Sequence, residues 1–134
     1  MQDRPNLNEL LEGVADFLRD ELGPRQEGAA RYQCLVAASL LTMAQRELAQ
    51  EPANLLAEYE GLCGLLDQTP EPLSPVALDG RVRQLNMQLA QRVADNGPGQ
   101  GEWGRLLMAH LKDTMAAKVA VANPAMAETA LRVD

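Results

Sequence analysis

The chain has 134 residues and a formal net charge of −7, from 19 acidic and 12 basic side chains. This acidic balance argues against nucleic acid as a partner, because binding a phosphate backbone needs clustered lysine and arginine. No apolar run reaches the roughly 18 to 20 residues of a membrane span, and the acidic N-terminus lacks the apolar core of a signal peptide, so we expect no membrane partner and a cytoplasmic location. Aromatic residues make up only 3% of the chain; their scarcity beside abundant leucine and alanine predicts an all-α fold in a single domain.

The first predicted helix covers residues 7–22. Its apolar residues recur at the i, i+3, i+4, i+7 spacing of an amphipathic helix. Asn6 and Glu9 have the spacing of a capping box at its start, and Gly23 with Pro24 predicts its end. The apolar stripe consists of Leu7, Leu10, Leu11, Val14, Phe17, Leu18 and Leu22. The outer face, which we expect in solvent, carries Glu9, Glu12, Asp16, Arg19 and Asp20.

The second predicted helix, residues 29–50, contains the most apolar stretch of the chain. Between Cys34 and Ala44 only Ser39 and Thr42 are polar. A helix that is apolar around its whole circumference is typical of one surrounded by other helices. We therefore predict that this helix is the centre of a five-helix, bundle-like domain.

A third helix is predicted at residues 53–66. Pro52 separates it from the second helix, because the residue before a proline avoids the α region. Gly61 and Gly64 each weaken it by about 1 kcal/mol relative to alanine. Either tertiary packing must hold this helix, or the glycines let another helix come close.

Breaker residues divide the rest of the chain. Ser74 and Pro75 have the N-cap and first-position pattern of a helix start. The predicted elements are a proline-rich linker at residues 67–75, a fourth helix at 75–95, a glycine-rich loop at 96–101, a fifth helix at 102–122, and a tail at 125–134 that forms a short helical turn or is disordered.

The few histidine and cysteine residues limit the possible chemistry. One histidine cannot supply the two Glu-x-x-His pairs of a di-metal helical bundle, and neither Cys34 nor Cys63 has a second cysteine or a histidine two to four residues away for a Cys/His zinc site. We therefore predict no metal, no cofactor and no catalytic residue. His110 has Asp113 and Thr114 one turn later, which favours a helix-flank hydrogen bond; a general base oriented by Asp113 is the weaker alternative.

Ser39, Thr42 and Arg46 lie on one stripe of the second helix, at i, i+3 and i+7. Hydroxyl groups in a helix commonly bond back to the carbonyl four residues earlier. Alternatively, the two hydroxyls line a small polar pocket that Arg46 closes. We take these three residues as a candidate binding site.

Four segments of the chain together resemble a family of small bacterial proteins of unknown function. They are the opening MQDRP, the following ELLEGVADFL, the central RYQCLVAASLLTMAQREL and the closing AHLKDTMAAKVAVANP. Ser39 stands where the family pattern has asparagine. The positions that match the pattern are Gln2, Asp3, Arg4, Pro5, Arg46, Glu47, Leu48, Ala122, Asn123 and Pro124.

The resemblance implies a role, but not a reaction. Members of that family are encoded beside acyl-CoA dehydrogenases and choline-kinase-like (aminoglycoside-type) phosphotransferases, which implies an accessory role near acyl-CoA metabolism. Polar family positions are candidates for one binding patch, with a structural salt-bridge network as the alternative. These candidates are Arg4, Arg46, Glu47 and Asn123.

Three functions are consistent with the sequence. The leading hypothesis is a non-enzymatic interaction protein that associates with itself or with a metabolic enzyme. The alternative is a small-ligand-binding bundle that uses Ser39, Thr42 and Arg46. The weakest is an enzyme that uses His110.

Overall fold

The structure, a computed structural model, describes the backbone of residues 4–130 and the side chains of residues 4–127. The predicted all-α class is confirmed, since this part of the chain contains helices and no strand. Residues 4–130 form five α-helices, α1 (Leu7–Asp16), α2 (Gly28–Leu65), α3 (Pro75–Asn96), α4 (Gly101–Ala122) and α5 (Pro124–Ala130).

α1 begins with the predicted capping box. The Asn6 side chain accepts from the Glu9 N–H at 3.0 Å, and the Glu9 carboxylate accepts from the Asn6 N–H at 2.8 Å. The helix becomes a π-helical turn at Phe17–Leu22, before a 3₁₀ turn at Gly23–Arg25. The Gly23 N–H donates to the Leu18 carbonyl five residues earlier. A Cβ at this position would lie 2.7 Å from that oxygen, so the close approach requires glycine.

The predicted break at Pro52 is wrong, because α2 runs without interruption from Gly28 to Leu65. Proline inside a helix removes one hydrogen bond and costs about 3 kcal/mol. Strong helix formers on both sides, such as Ala49 and Ala53, together with the packing of the second half of α2, offset that cost. The second and third predicted helices are therefore one helix.

The chain divides into two compact units within α2. The N-terminal unit ends at Ala49 and the C-terminal unit begins at Gln50. That the whole chain forms a single domain stays a prediction.

The expectation that residues 29–50 are surrounded by other helices is wrong. Of these residues only Ala38 is buried, and Leu35, Val36 and Leu40 are all exposed. In the N-terminal unit α1 covers just one stripe of α2, so most of the apolar circumference stays in water. The apolar composition of this segment is therefore not matched by burial of its side chains.

The core of the C-terminal unit lies around the last turns of α2. Val82, Leu85 and Leu89 of α3 are buried there. Ser74 caps α3 as predicted, by accepting from the Ala77 N–H at 3.4 Å. The buried cluster consists of Tyr59, Leu62, Cys63, Leu65, Val82, Leu85, Leu89 and Leu107.

Two side chains meet at the carbonyl of Leu65, the last residue of α2. Arg92 of α3 donates to it at 2.9 Å, and the Trp103 indole of α4 donates at 3.0 Å. The Arg92 guanidinium also lies over the Trp103 ring, 4.6 Å from its centroid. One orphan carbonyl at a helix end thus joins three helices.

The linker after α2 is held by Tyr59. Its hydroxyl accepts from the Glu71 N–H at 2.9 Å and donates to the Glu71 carbonyl at 3.4 Å. The predicted proline-rich linker is therefore attached to the core through Tyr59. It is also attached to α3, where Gln68 accepts from Arg81 at 2.6 Å and donates to Gln88 at 3.0 Å.

The segment after α4 is helical where the structure describes it. Asn123 ends α4, and its side chain caps α5 by accepting from the Met126 N–H at 3.2 Å. α5 extends from Pro124 to Ala130. The rest of the tail, residues 131–134, lies outside the described residues.

We expect Trp103→Phe to lower the free energy of unfolding by about 1–2 kcal/mol, because phenylalanine cannot donate to the Leu65 carbonyl and is a weaker partner for Arg92. Urea unfolding followed by circular dichroism measures this change. Tyr32→Phe, at an exposed aromatic position, is the matched control and should leave the midpoint unchanged. Equal midpoints for Trp103→Phe and wild type would contradict the role of this hydrogen bond.

Candidate functional site

Ser39 and Thr42 lie on the first half of α2, in the N-terminal unit. The Ser39 hydroxyl donates to the Leu35 carbonyl at 2.9 Å, and the Thr42 hydroxyl donates to the Ala38 carbonyl at 3.0 Å. The predicted bonding to the carbonyl four residues earlier is therefore confirmed for both residues. Whether they also line a ligand pocket stays a prediction.

Two arginines converge on Thr42. Arg19, from the π-helical turn, donates to the Thr42 hydroxyl at 3.1 Å, and Arg46 Nε donates to the Thr42 carbonyl at 3.4 Å. Arg46 Nη1 is buried and has no hydrogen-bond partner among the described residues. A buried donor without a partner costs about 1–3 kcal/mol. Arg19 was missed as a site residue because the sequence places it on the outer face of a regular α-helix.

The other predicted site residues have local contacts. Arg4 is exposed and its Nε lies 3.8 Å from Glu9 Oε1. Glu47 is exposed on α2, one residue after Arg46. Asn123 belongs to the C-terminal unit, where it caps α5. A single patch of Arg4, Arg46, Glu47 and Asn123 stays a prediction.

α1 carries two apolar stripes, and just one of them packs on α2. The packed stripe is centred on Ala15, which is 2% exposed, and the buried residue in the first half of α2 is Ala38, 1% exposed. The second stripe stays 46–58% exposed over the whole length of α1 and into the π-helical turn. It consists of Leu7, Leu10, Val14 and Phe17.

The hydrogen bond between Arg19 and Thr42 places these two residues on the same side of the hairpin formed by α1 and the first half of α2. At about 100° per α-helical residue, Leu10 and Val14 lie about 100–140° around α1 from the buried Ala15. On α2, Leu40 and Leu48 lie on the side away from Thr42, and they are 54% and 42% exposed. We call these six large side chains the apolar face: Leu7, Leu10, Val14, Phe17, Leu40 and Leu48.

In the C-terminal unit, an open groove of about 510 Å³ lies at the start of α4. Its floor is glycine backbone from the loop before α4, where Gly99 packs against the Trp103 ring. Arg105 and Lys112 supply its positive charge. The lining residues are Gly99, Gln100, Gly101, Gly104, Arg105, Met108, Ala109 and Lys112.

His110 packs against Gly61. This contact explains why glycine stands at one of the two glycine positions of the predicted third helix. A Cβ at Gly61 would overlap the imidazole ring, so the glycine lets α4 approach α2. Burial lowers the pKa of His110 below its ordinary value, and the carboxylates of Glu58 and Asp113 oppose this in part. The Glu58 carboxylate itself accepts from the Asn86 amide at 2.7 Å.

Cys34 and Cys63 are both free thiols. Among residues 4–127, whose side chains the structure describes, no three side chains of histidine, cysteine, aspartate or glutamate come close enough together to hold a metal ion. In the same part of the chain, no helix combines the length and the apolar character needed to cross a membrane.

Comparison with known proteins supports the resemblance seen in the sequence. A family model described as Domain of unknown function (DUF6285) matches residues 24–126. The match spans most of the chain, from just before α2 into α5, and α1 precedes it. No curated protein and no solved structure matches the chain.

We expect the stability of the protein to fall as the pH drops below about 6.5, the ordinary pKa of histidine. Burial lowers the pKa of His110 in the folded state, so the unfolded chain binds the proton more readily and acidification favours unfolding. Urea midpoints between pH 7.5 and 5.5 measure this slope. His110→Gln should reduce the slope; the same slope in the variant and in wild type would contradict the assignment.

Proposed function

We propose that this chain, which belongs to the DUF6285 family, is a non-catalytic accessory protein that binds another protein through the apolar face of its N-terminal unit. The observation that supports this proposal is that large apolar side chains of that unit are exposed while small residues are buried. Its six large side chains on the apolar face are 42–58% exposed, whereas its buried residues are the small ones Ala15, Gly23 and Ala38.

The size of the apolar face supports a binding role. Half-exposed side chains of this kind leave roughly 550 Å² of apolar surface in water, near the upper end for the largest patch on a typical monomer. At about 25 cal/mol per Å², covering this surface gives on the order of 10 kcal/mol before the costs of association. Within residues 4–49 the structure contains α1, the two turns after it and the first half of α2, and no further helix that could cover this surface.

The partner class that we propose follows from the family resemblance. It is an acyl-CoA dehydrogenase or a choline-kinase-like phosphotransferase, in a bacterial cytoplasm. The cytoplasmic location and the lack of nucleic-acid binding stay predictions. The imidazole of His110 packs against Gly61. Because this contact gives His110 a role in helix packing, an enzymatic role is the weakest of the three hypotheses.

We expect the double variant Leu10→Ser, Val14→Ser to lose at least about tenfold in affinity for the partner enzyme, because both side chains leave water only in the complex. Isothermal titration against each purified enzyme measures the affinity. Since both positions are already exposed, the variant should melt like wild type.

The matched control is Val76→Ser, Met87→Ser, two strongly exposed apolar positions on α3. This pair should bind as wild type does. If neither folded enzyme binds wild-type protein, or if both double variants bind equally well, the proposed function is wrong.

A second candidate function is supported by the unpartnered nitrogen of Arg46. An anionic group of a small ligand could accept from Nη1 beside Ser39 and Thr42, and it would remove the cost of that buried donor. This is the ligand-binding bundle predicted from the sequence. It requires an acid on the ligand, such as a carboxylate or phosphate.

If this second function holds, we expect fatty acids or acyl-CoA compounds to raise the melting temperature by mass action. Arg46→Gln should remove the shift, because the neutral amide cannot pair with an anion. Lys118→Gln, in the C-terminal unit, is the charge-matched control and should keep it. No shift with any of these compounds would exclude this candidate.

A further inference from the structure

We infer that the apolar face binds an amphipathic helix of another protein. This helix carries lysine or arginine at both ends of its apolar stripe. This inference rests on the proposed function and adds the chemistry of the partner. The charges beside the apolar face support it.

Acidic side chains lie at both ends of the apolar face. At one end, Glu21 follows Phe17 by four residues and so continues the exposed stripe of α1, with Asp20 beside it. At the other end, Glu47 lies next to Leu48 on α2. All three acids are exposed, and none forms an ion pair with a described residue. We call Asp20, Glu21 and Glu47 the acidic rim.

Two cations of the N-terminal unit, Arg19 and Arg46, lie on the other side of the hairpin, whereas Arg4 precedes α1 and lies 3.8 Å from Glu9. Arg19 bonds to Asp16 at 3.2 Å and to Thr42, on the side of the hairpin away from the apolar face. Arg46 lies on that same side, where its Nε donates to the Thr42 carbonyl. The rim therefore presents negative charge that these two arginines do not neutralise.

The spacing of the rim sets the length of the partner helix. The Gln45 amide donates to the Asn8 carbonyl at 2.9 Å, which fixes the antiparallel register of α1 and α2. In this register Glu47 lies near the start of α1, and Glu21 lies roughly 20 Å away along the axis. A helix of about 14 residues spans that distance, with cations one at each end and a leucine-type stripe between them.

A second copy of this chain is a worse occupant than such a helix. Two apolar faces brought together would place acidic rims near one another in a chain whose net charge is already −7. Like charges at a rim slow association and weaken it, whereas opposite charges favour encounter and fix the orientation.

The test uses two synthetic helical peptides of about 18 residues with the same leucine stripe. One carries lysine and the other carries glutamate at the rim positions. Fluorescence anisotropy gives the affinity of the full-length protein for each at low salt and at about 300 mM salt. We expect the lysine peptide to bind at least about tenfold tighter at low salt, and the difference to shrink at high salt.

Variants separate the rim from the overall charge. Asp20→Asn, Glu21→Gln, Glu47→Gln should bring the affinity for the lysine peptide close to that for the glutamate peptide. The control Glu60→Gln, Glu71→Gln, Glu102→Gln removes the same net charge from exposed positions of the C-terminal unit and should keep the preference. In addition, the double variant Leu10→Ser, Val14→Ser should have a lower affinity for both peptides.

Three results would overturn the inference. They are a failure of the lysine peptide to bind tighter than the glutamate peptide, an equal effect of the rim and control variants, and a dimer in sedimentation that Leu10→Ser, Val14→Ser dissociates. The first two leave the proposed function standing if the double variant still loses its enzyme partner. The proposed function fails separately, when that variant loses no enzyme affinity.

Discussion

The hydrogen bonds to the Leu65 carbonyl are the interaction on which the C-terminal unit depends. A helix end leaves its last carbonyls without partners, and here α3 and α4 each provide one donor to the same oxygen. Leu62, Leu85 and Leu107 pack together in the buried cluster of the same unit. The N-terminal unit has no comparable junction, and its buried residues are small. The two units thus differ in whether the chain itself supplies the surfaces that their apolar residues need.

Local signals in the sequence were sufficient for the elements they control. The capping box of Asn6 and the N-cap of Ser74 depend on residues three positions apart, so both could be predicted. Pro52 could not, because a local preference of the preceding residue competes with helix formers and packing over a much longer range. The exposure of Leu40 could not be predicted either. Apolar residues state a preference for burial, but they do not tell whether the same chain provides the partner.

The candidate site shows the same division. The stripe of Ser39, Thr42 and Arg46 follows from regular helical spacing, and the structure places the three together on α2. The apolar face was missed because every apolar residue of the first predicted helix was assigned to one packed stripe. Arg19 was missed because the π-helical turn, which needs the close approach at Gly23, changes the register after Asp16. An amphipathic pattern contains no signal for such a turn.

The contact between Gly61 and His110 has a consequence for sequence variation in the family. The two positions share one volume, since the imidazole occupies the space that a side chain at 61 would need. A larger residue at 61 is therefore compatible with the same helix spacing only when a smaller one stands at 110. Relatives should show the side-chain sizes at these two positions covarying, even though the positions lie on different helices and form no ion pair.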